Sequence, residues 1–312
     1  MLQLLLGGSG SGKTTLLYQR IRARAEKGEK SILLVPEQFT SSTEGRIYRE
    51  LGDALSGMVE SFSFTSLAEK ILSTEGGAAV QTLSDAGRAV LVRRALEELQ
   101  DNVHYYHRHR RSAAFCQMAA QTIDELKSAG LSGRQLAQLA GACGAESGKL
   151  SELALIFQGY ETLLARSGMD PSDRLELAGA RLEEALARHS LPEFLRDRAV
   201  FIDEFDTFNA PKKRLLGAML AALPSVTVAL CDDGAPLLPG DLSLFSGAKQ
   251  VAAQLRQLAR KDGAEVAVPQ LLRKDLRHRN APGLAAVAEL LAAGSCTADA
   301  PADAVRLVAA PS

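Results

Sequence analysis

The segment Gly7-Gly8-Ser9-Gly10-Ser11-Gly12-Lys13-Thr14 constrains this 312-residue chain more than any other, because it fits G-x-x-x-x-G-K-[ST] without a gap. Residues 2–6 read as a short buried strand and residues 13–26 as a helix, so the motif has a strand before it and a helix after it. Glycines let the backbone wrap closely around phosphates with its N–H groups pointing inward. The following helix offers its positive end to the anion. In such a loop residues 7–14 and Thr15 form the cradle. Lys13 reaches the β- and γ-phosphates of a nucleotide such as ATP, and the Thr14 hydroxyl ligates Mg²⁺. The competing reading is a flexible glycine–serine turn ahead of an ordinary helix, and the strand–loop–helix order disfavours it.

Two further apolar runs, 30–35 (stopped by Pro36) and 59–64, read as strands. Strands separated by helices predict a parallel sheet with right-handed crossovers. Residues 83–186 carry helical spacing instead, as in Leu91, Ala95, Leu96 and Leu99, or Phe115, Met118, Ala119 and Ile123. Gly130-Leu131-Ser132-Gly133 and Ser167-Gly168 punctuate that stretch. Strands return at 199–202 and 225–230, then an alanine-rich helix at 282–293 and an expected strand at 304–309. This pattern predicts an α/β parallel sheet carrying a large all-helical insertion. The expected divisions are 1–80 for the first part of the P-loop domain, 81–195 for the insertion and 196–312 for its second part. The abrupt stop after the last strand suggests a piece of a longer protein.

A second acidic site is expected at the end of a neighbouring strand, since enzymes with this loop hold Mg²⁺ from there. Ala199-Val200-Phe201-Ile202-Asp203-Glu204 supplies it, with Asp203 on the metal and Glu204 placed to orient or deprotonate a water. The alternative is a strand ending in solvated acids, and the two readings are balanced for Asp232-Asp233 after the next strand. Lys13 and Asp203 lie 190 positions apart. That distance is longer than in small-molecule kinases and GTPases and is the layout of superfamily 1 helicases, whose insertion forms a subdomain.

Bulk properties mark no partner. Net charge is -1 with 23% charged residues, so any DNA contact must come from local patches. Cys116, Cys143, Cys231 and Cys296 are scattered, with no C-x-x-C pair, so neither zinc nor a disulfide framework is indicated and a reduced cytoplasmic protein is expected. No run approaches the roughly 20 apolar residues of a membrane span.

Leu5-Leu6 with the loop, followed by Leu33-Leu34-Val35-Pro36-Glu37-Gln38-Phe39-Thr40, resembles the start of the B-type ATP-dependent helicase/deoxyribonuclease subunits, the AddB family. Ser61-Phe62-Ser63-Phe64-Thr65-Ser66-Leu67-Ala68 is similar to its next segment. Ile123-Asp124-Glu125-Leu126-Lys127-Ser128-Ala129-Gly130-Leu131 resembles its insertion signature, and Val200-Phe201-Ile202-Asp203-Glu204-Phe205-Asp206-Thr207-Phe208 its acidic strand. The resemblance covers about residues 1–245. It implies a RecA-like P-loop fold, ATP and Mg²⁺ as cofactors and DNA as ligand. It also implies a heterodimer with the A-type helicase–nuclease subunit, working in break repair and recombination. The family's nuclease domain and iron–sulfur cluster lie in a C-terminal part that these residues do not match.

The chain departs from superfamily 1 motors. Six residues before Gly7 leave no room for an adenine-reading glutamine, and Leu230-Cys231-Asp232-Asp233 lacks the γ-phosphate-sensing one. Leu276-Arg277-His278-Arg279-Asn280 resembles a motor's arginine motif, with Arg279 in the key place. Weak or absent hydrolysis is expected. The alternatives are a non-hydrolysing, nucleotide-dependent DNA-scanning scaffold and a small-molecule kinase with a helical lid. By resemblance to helicases, Ser63, Phe64 and Thr65 sit at a strand end facing single-stranded DNA, with Phe64 either stacking on a base or buried in the strand. Arg108, Arg110 and Arg111 close the one basic–aromatic cluster, read either as a DNA-phosphate patch or, preferably, as a solvated segment between helices. Its histidines lack the acids or cysteines of a metal site. His189 and His278 read as isolated structural or surface residues.

Overall fold

In a computed structural model, residues 1–293 are described except Ala78, Val80, Ala145 and Glu146. The expected strand at 304–309 and Cys296 lie outside the described residues. In chain order the elements are β1 (Leu2–Gly7), α1 (Lys13–Ala25), β2 (Ser31–Leu34), α2 (Thr40–Leu51), α3 (Asp53–Ser56), β3 (Val59–Phe62), α4 (Phe64–Glu75), α5 (Asp85–Glu98), α6 (Ala113–Ser128), α7 (Gly133–Ala140), α8 (Ser147–Ser167), α9 (Pro171–Ala187), β4 (Ala199–Ile202), α10 (Ala210–Ala222), β5 (Ser225–Cys231), α11 (Ser246–Lys261), β6 (Gln270–Leu272) and α12 (Pro282–Ala293). They divide into two compact units. One holds residues 1–63, 193–208 and 219 onward, and the other residues 64–192 and 209–218.

The first unit is a six-stranded sheet in the order β3-β2-β4-β5-β1-β6, every pairing parallel. Its strands are nearly continuous apolar runs because both faces are covered. Leu2, Leu5, Ile32, Leu34, Val200 and Ile202 are all fully buried. Against one face α1 contributes Leu17, Tyr18 and Ile21, and α2 contributes Ile47 and Leu51, packed with Leu5, Leu33 and Phe201. These positions recur at three- and four-residue intervals, the spacing of one helix face. In register, Ile202 lies opposite Val228, itself opposite Leu4, so β1 and β5 run three residues beyond β4 to Gly7 and Cys231 at the sheet's carboxyl edge. In an open parallel sheet that edge is where ligands bind.

The second unit is helical. Leu91, Val92, Ala95 and Leu96 of α5 close a core with Ala119 and Ile123 of α6 and Phe157, Tyr160 and Leu164 of α8. The segment resembling an insertion signature, 123–131, has a structural task here. Ile123 enters the core, while the Lys127 ammonium donates to Asp170 (2.9 Å) and Asp173 (2.7 Å), and the Tyr160 hydroxyl donates to Asp170 (2.6 Å). Asp170 and Asp173 form the capping box of α9, with Pro171 in its first turn. Gly130, at φ 84°, ends α6 in the left-handed conformation that glycine adopts without strain. One cation therefore ties α6 to the start of α9, and the tyrosine adds α8.

The expected third strand is shorter than residues 59–64. It ends at Phe62, and Phe64 opens α4. Phe64 is 2% exposed and lies among the buried Leu67, Ala68, Ile71 and Leu72 face of that helix, with Lys212 over its ring at 5.7 Å. The base-stacking reading of Phe64 is therefore corrected: the ring is a core side chain. Ser63 is also buried, and only Thr65 of the three residues is exposed.

Candidate nucleotide-binding site

The loop between β1 and α1 turns through Gly10 (φ 77°) and Gly12 (φ 88°), conformations that any side chain would strain. Gly12 is the N-cap of α1, with no side-chain cap and no acid in the first turn. A helix start left so presents free N–H groups and the positive end of the helix dipole to one spot. The Lys13 ammonium folds back and donates to the carbonyls of Gly7 and Gly8, both at 2.8 Å. Ser11 Oγ is buried with no hydrogen-bond partner. An orphaned buried hydroxyl beside free amides is an incomplete polar site, and it matches the donor set a phosphate requires.

Asp203 follows β4, its N–H bonded to Leu34 O (3.1 Å) and its carboxylate buried. β5 alone separates β4 from β1, so Asp203 stands about 10 Å across the sheet from β1. Thr14 closes that gap with a side-chain hydrogen bond to Asp203. Burial raises the Asp203 carboxyl above the usual aspartate range, although the bond from Thr14 opposes the rise. Burial likewise lowers Lys13, against the attraction of Cys231 and Asp203. Glu204 has φ 66°, left-handed without being glycine, and its N–H donates to Asp203 Oδ1 at 3.0 Å. Such strain in a non-glycine residue persists only where its surroundings impose it. Threonine hydroxyl plus buried carboxylate is an oxygen set that suits Mg²⁺.

A cleft of about 570 Å³ lies over the loop and includes Asp203, Glu204, Gln38, Arg46, Cys231 and Arg277. The candidate residues Ser9 to Thr15, Asp203 and Glu204 thus meet in one place. Gly7 and Gly8 serve it through their carbonyls. Sequence reasoning missed Arg46, whose guanidinium stacks over Tyr18 at 4.9 Å, and passed over Arg277 in favour of Arg279. Gln38 follows closely on a strand's carboxyl end, and that position is the available signal. Arg279, singled out by its motif, and Arg277 are both exposed, and Arg277 is the one that bonds to Ser9 Oγ, at 3.1 Å. His278 is not isolated: Nδ1 meets Asp275 Oδ2 at 2.8 Å. Asp232 and Asp233 shape the turn after β5, accepting the N–H groups of Gly234 (2.7 Å) and Ala235 (2.8 Å), and Asp233 also pairs with Lys249.

The basic cluster belongs to the helical unit. The buried Glu152 carboxylate accepts the N–H groups of His104 (2.8 Å), Tyr105 (2.9 Å) and Tyr106 (3.3 Å), fixing the start of the segment. Tyr106 stacks on Phe115, and Arg110 meets the His107 ring at 3.1 Å. Arg108 and Arg111 are exposed. No group of three or more His, Cys, Asp or Glu able to hold a metal occurs among the described residues. No helix among them is long and apolar enough to cross a membrane.

A family model described as "ADDB, N-terminal" matches residues 4–288. The ATP-dependent helicase/deoxyribonuclease B subunit of Desulforudis audaxviator is 34% identical over 296 residues, covering 91% of this chain and 25% of that protein. Its namesake in Moorella thermoacetica is 33% identical over 299 residues, covering 91% and 25%, and that of Symbiobacterium thermophilum 31% over 313 residues, covering 93% and 26%. The chain spans about a quarter of the length of these relatives. With a parallel sheet, an inserted helical unit and this match over nearly its whole length, the chain belongs to the AddB N-terminal family.

Proposed function

We propose that this chain is the ATP-binding region of a cytoplasmic B-type helicase–nuclease subunit, which works on DNA with its A-type partner in double-strand-break repair and recombination. The observation that carries the proposal is the uncapped start of α1, with the Lys13 ammonium on one side and the Thr14–Asp203 pair on the other. Amides of the loop and Ser11 Oγ bind phosphate oxygens. Lys13 leaves its carbonyl partners for the β- and γ-phosphates. Thr14 and Asp203 would hold Mg²⁺, which would supply positive charge to offset that of the phosphates. Glu204 orients or deprotonates water.

Slow or absent hydrolysis, the scaffold reading, is favoured by one observation. The Asp232 and Asp233 carboxylates are engaged in their own turn, and Cys231 stands where a γ-phosphate sensor would. Titration with a fluorescent ATP analogue and Mg²⁺ tests the main reading. Binding is expected, with Lys13→Ala weakening it at least about tenfold. Unchanged affinity in that variant refutes the site, and fast turnover abolished by Lys13→Ala or Glu204→Gln refutes the scaffold. Thr65, Arg108, Arg110 and Arg111 are proposed DNA-phosphate contacts. Joint replacement of the three arginines with no change in the salt dependence of DNA binding removes them from that role.

A further inference from the structure

We propose that Cys231 is a modification site in the nucleotide cleft, where a small disulfide forms a mixed disulfide with its thiol and so shuts nucleotide out. The consequence rests on the nucleotide reading above, while the chemistry rests on the surroundings of the thiol. Cys231 ends β5 and lies opposite Gly7 in the parallel ladder. Neighbouring strands run about 5 Å apart, so this residue stands beside the start of the loop. Residues 226–230 of the strand are buried, whereas Cys231 is exposed and lines the cleft of about 570 Å³.

Two neighbours favour reaction there. The Lys13 ammonium, held by the Gly7 and Gly8 carbonyls at 2.8 Å, is drawn more strongly to Cys231 than to Asp203 or Glu204. Ser11 Oγ lines the same cleft, is in a residue only 6% exposed, and has no hydrogen-bond partner. It sits so close over Gly7 that a Cβ on that glycine would strike it. In disulfide exchange a thiolate attacks one sulfur of a disulfide, and the attacking, central and departing sulfurs share one negative charge on the way. A fixed cation and an idle hydroxyl beside that point stabilise the charge as it spreads. The step balances within itself. Cys231 gives its proton to solvent, the S–S bond of the reagent breaks as the new one forms, and the second half departs as a thiolate that takes up a proton. Cys231 is oxidised, the departing half is reduced, and a dithiol reverses both. The adduct has to lie in the cleft against Lys13 and the loop, in the space that phosphates need.

Dithiodipyridine, an uncharged disulfide whose released half absorbs light, is the probe, with each cysteine followed separately by mass spectrometry. Cys143, exposed in the helical unit, is the reference. Cys231 should react at least about threefold faster than Cys143. Lys13→Ala should slow Cys231 about 3- to 10-fold and leave Cys143 unchanged, and Lys13→Arg, which keeps the charge, should retain most of the rate. Circular dichroism checks that both variants fold. ATP with Mg²⁺ should protect Cys231 and not Cys143. The mixed disulfide should weaken a fluorescent ATP analogue at least about tenfold, dithiothreitol should restore it, and the same treatment of Cys231→Ser should shift that variant's own affinity less than about twofold. Equal Cys231 rates in wild type and Lys13→Ala, a Cys231 no faster than Cys143, or an adduct that leaves ATP affinity within about twofold overturns the proposal while leaving the loop reading intact. A wild type that binds no ATP overturns the loop reading and the closing of the cleft with it, whereas the disulfide rates, measured without nucleotide, fail only if the surroundings of the thiol are misread.

Discussion

Glu152 offers the sharpest test of how the helical unit is held. Its carboxylate receives three successive backbone amides, at 2.8, 2.9 and 3.3 Å, from a segment with no regular hydrogen-bond ladder of its own. Hydrogen bonds to a charged group contribute about 1.5–3 kcal/mol each. The full sum does not apply, because His104 and Tyr105 are exposed and water replaces part of what is lost. Glu152→Ala should therefore cost about 3 kcal/mol, counting the cavity left by a buried side chain. In a unit of about 140 residues that lowers Tm by about 10 °C. Glu152→Gln keeps the volume but turns an NH₂ toward the amides, and should cost about 2 kcal/mol. Urea unfolding followed by circular dichroism gives both values, and hydrogen exchange at residues 104–106 should accelerate in both variants. A Glu152→Gln protein within about 0.5 kcal/mol of wild type, with those amides still protected, would refute the reasoning.

The Asp203 carboxyl is raised by burial, so its protonated form is favoured in the folded protein. The stability it contributes is complete below the ordinary aspartate range, about pH 4, and is lost as pH climbs through the raised value. Asp203→Asn should thus raise Tm at neutral pH in ligand-free protein, flatten the fall in stability between acid and neutral pH, and abolish the Mg²⁺ dependence of nucleotide affinity; a lower Tm at neutral pH would contradict this. A Cβ on Gly7 would meet Ser11 Oγ and the Leu272 carbonyl (2.7 Å), whereas one on Gly8 meets nothing within 4 Å. Gly7→Ala should therefore cost about 2 kcal/mol and Gly8→Ala under about 0.5, and equal melting temperatures for the two would contradict the close approach of β6.

The glycine-rich loop between strand and helix, the acidic strand and the long helical stretch were legible because each is a dense local signal. β6 was not: it spans three residues, follows Pro269 and stands at a sheet edge, where apolar patterning is weakest. Phe64 misled because it directly continues an apolar strand, although its spacing with Leu67, Ala68, Ile71 and Leu72 is that of a helix. Arg277 and Arg46 reach the cleft only through tertiary placement. A motif that selects Arg279 carries no information about which arginine bonds to the loop. The Lys127–Asp170–Tyr160 tie was not legible, since the resemblance marked only residues 123–131 and its partners come from other elements.

The pairing of β1 also dictates an order of assembly. Its two neighbours, 225–231 and 270–272, lie more than 200 positions downstream, so the strand that launches the loop has no strand to bond with until those residues have been made. The helices between 64 and 192 meet partners nearby and can settle while β1 waits. The glycine-rich loop takes its shape only after the helical unit's residues have appeared, and a version ending between 219 and 269 should emerge with an intact helical unit and a loop lacking its edge strand.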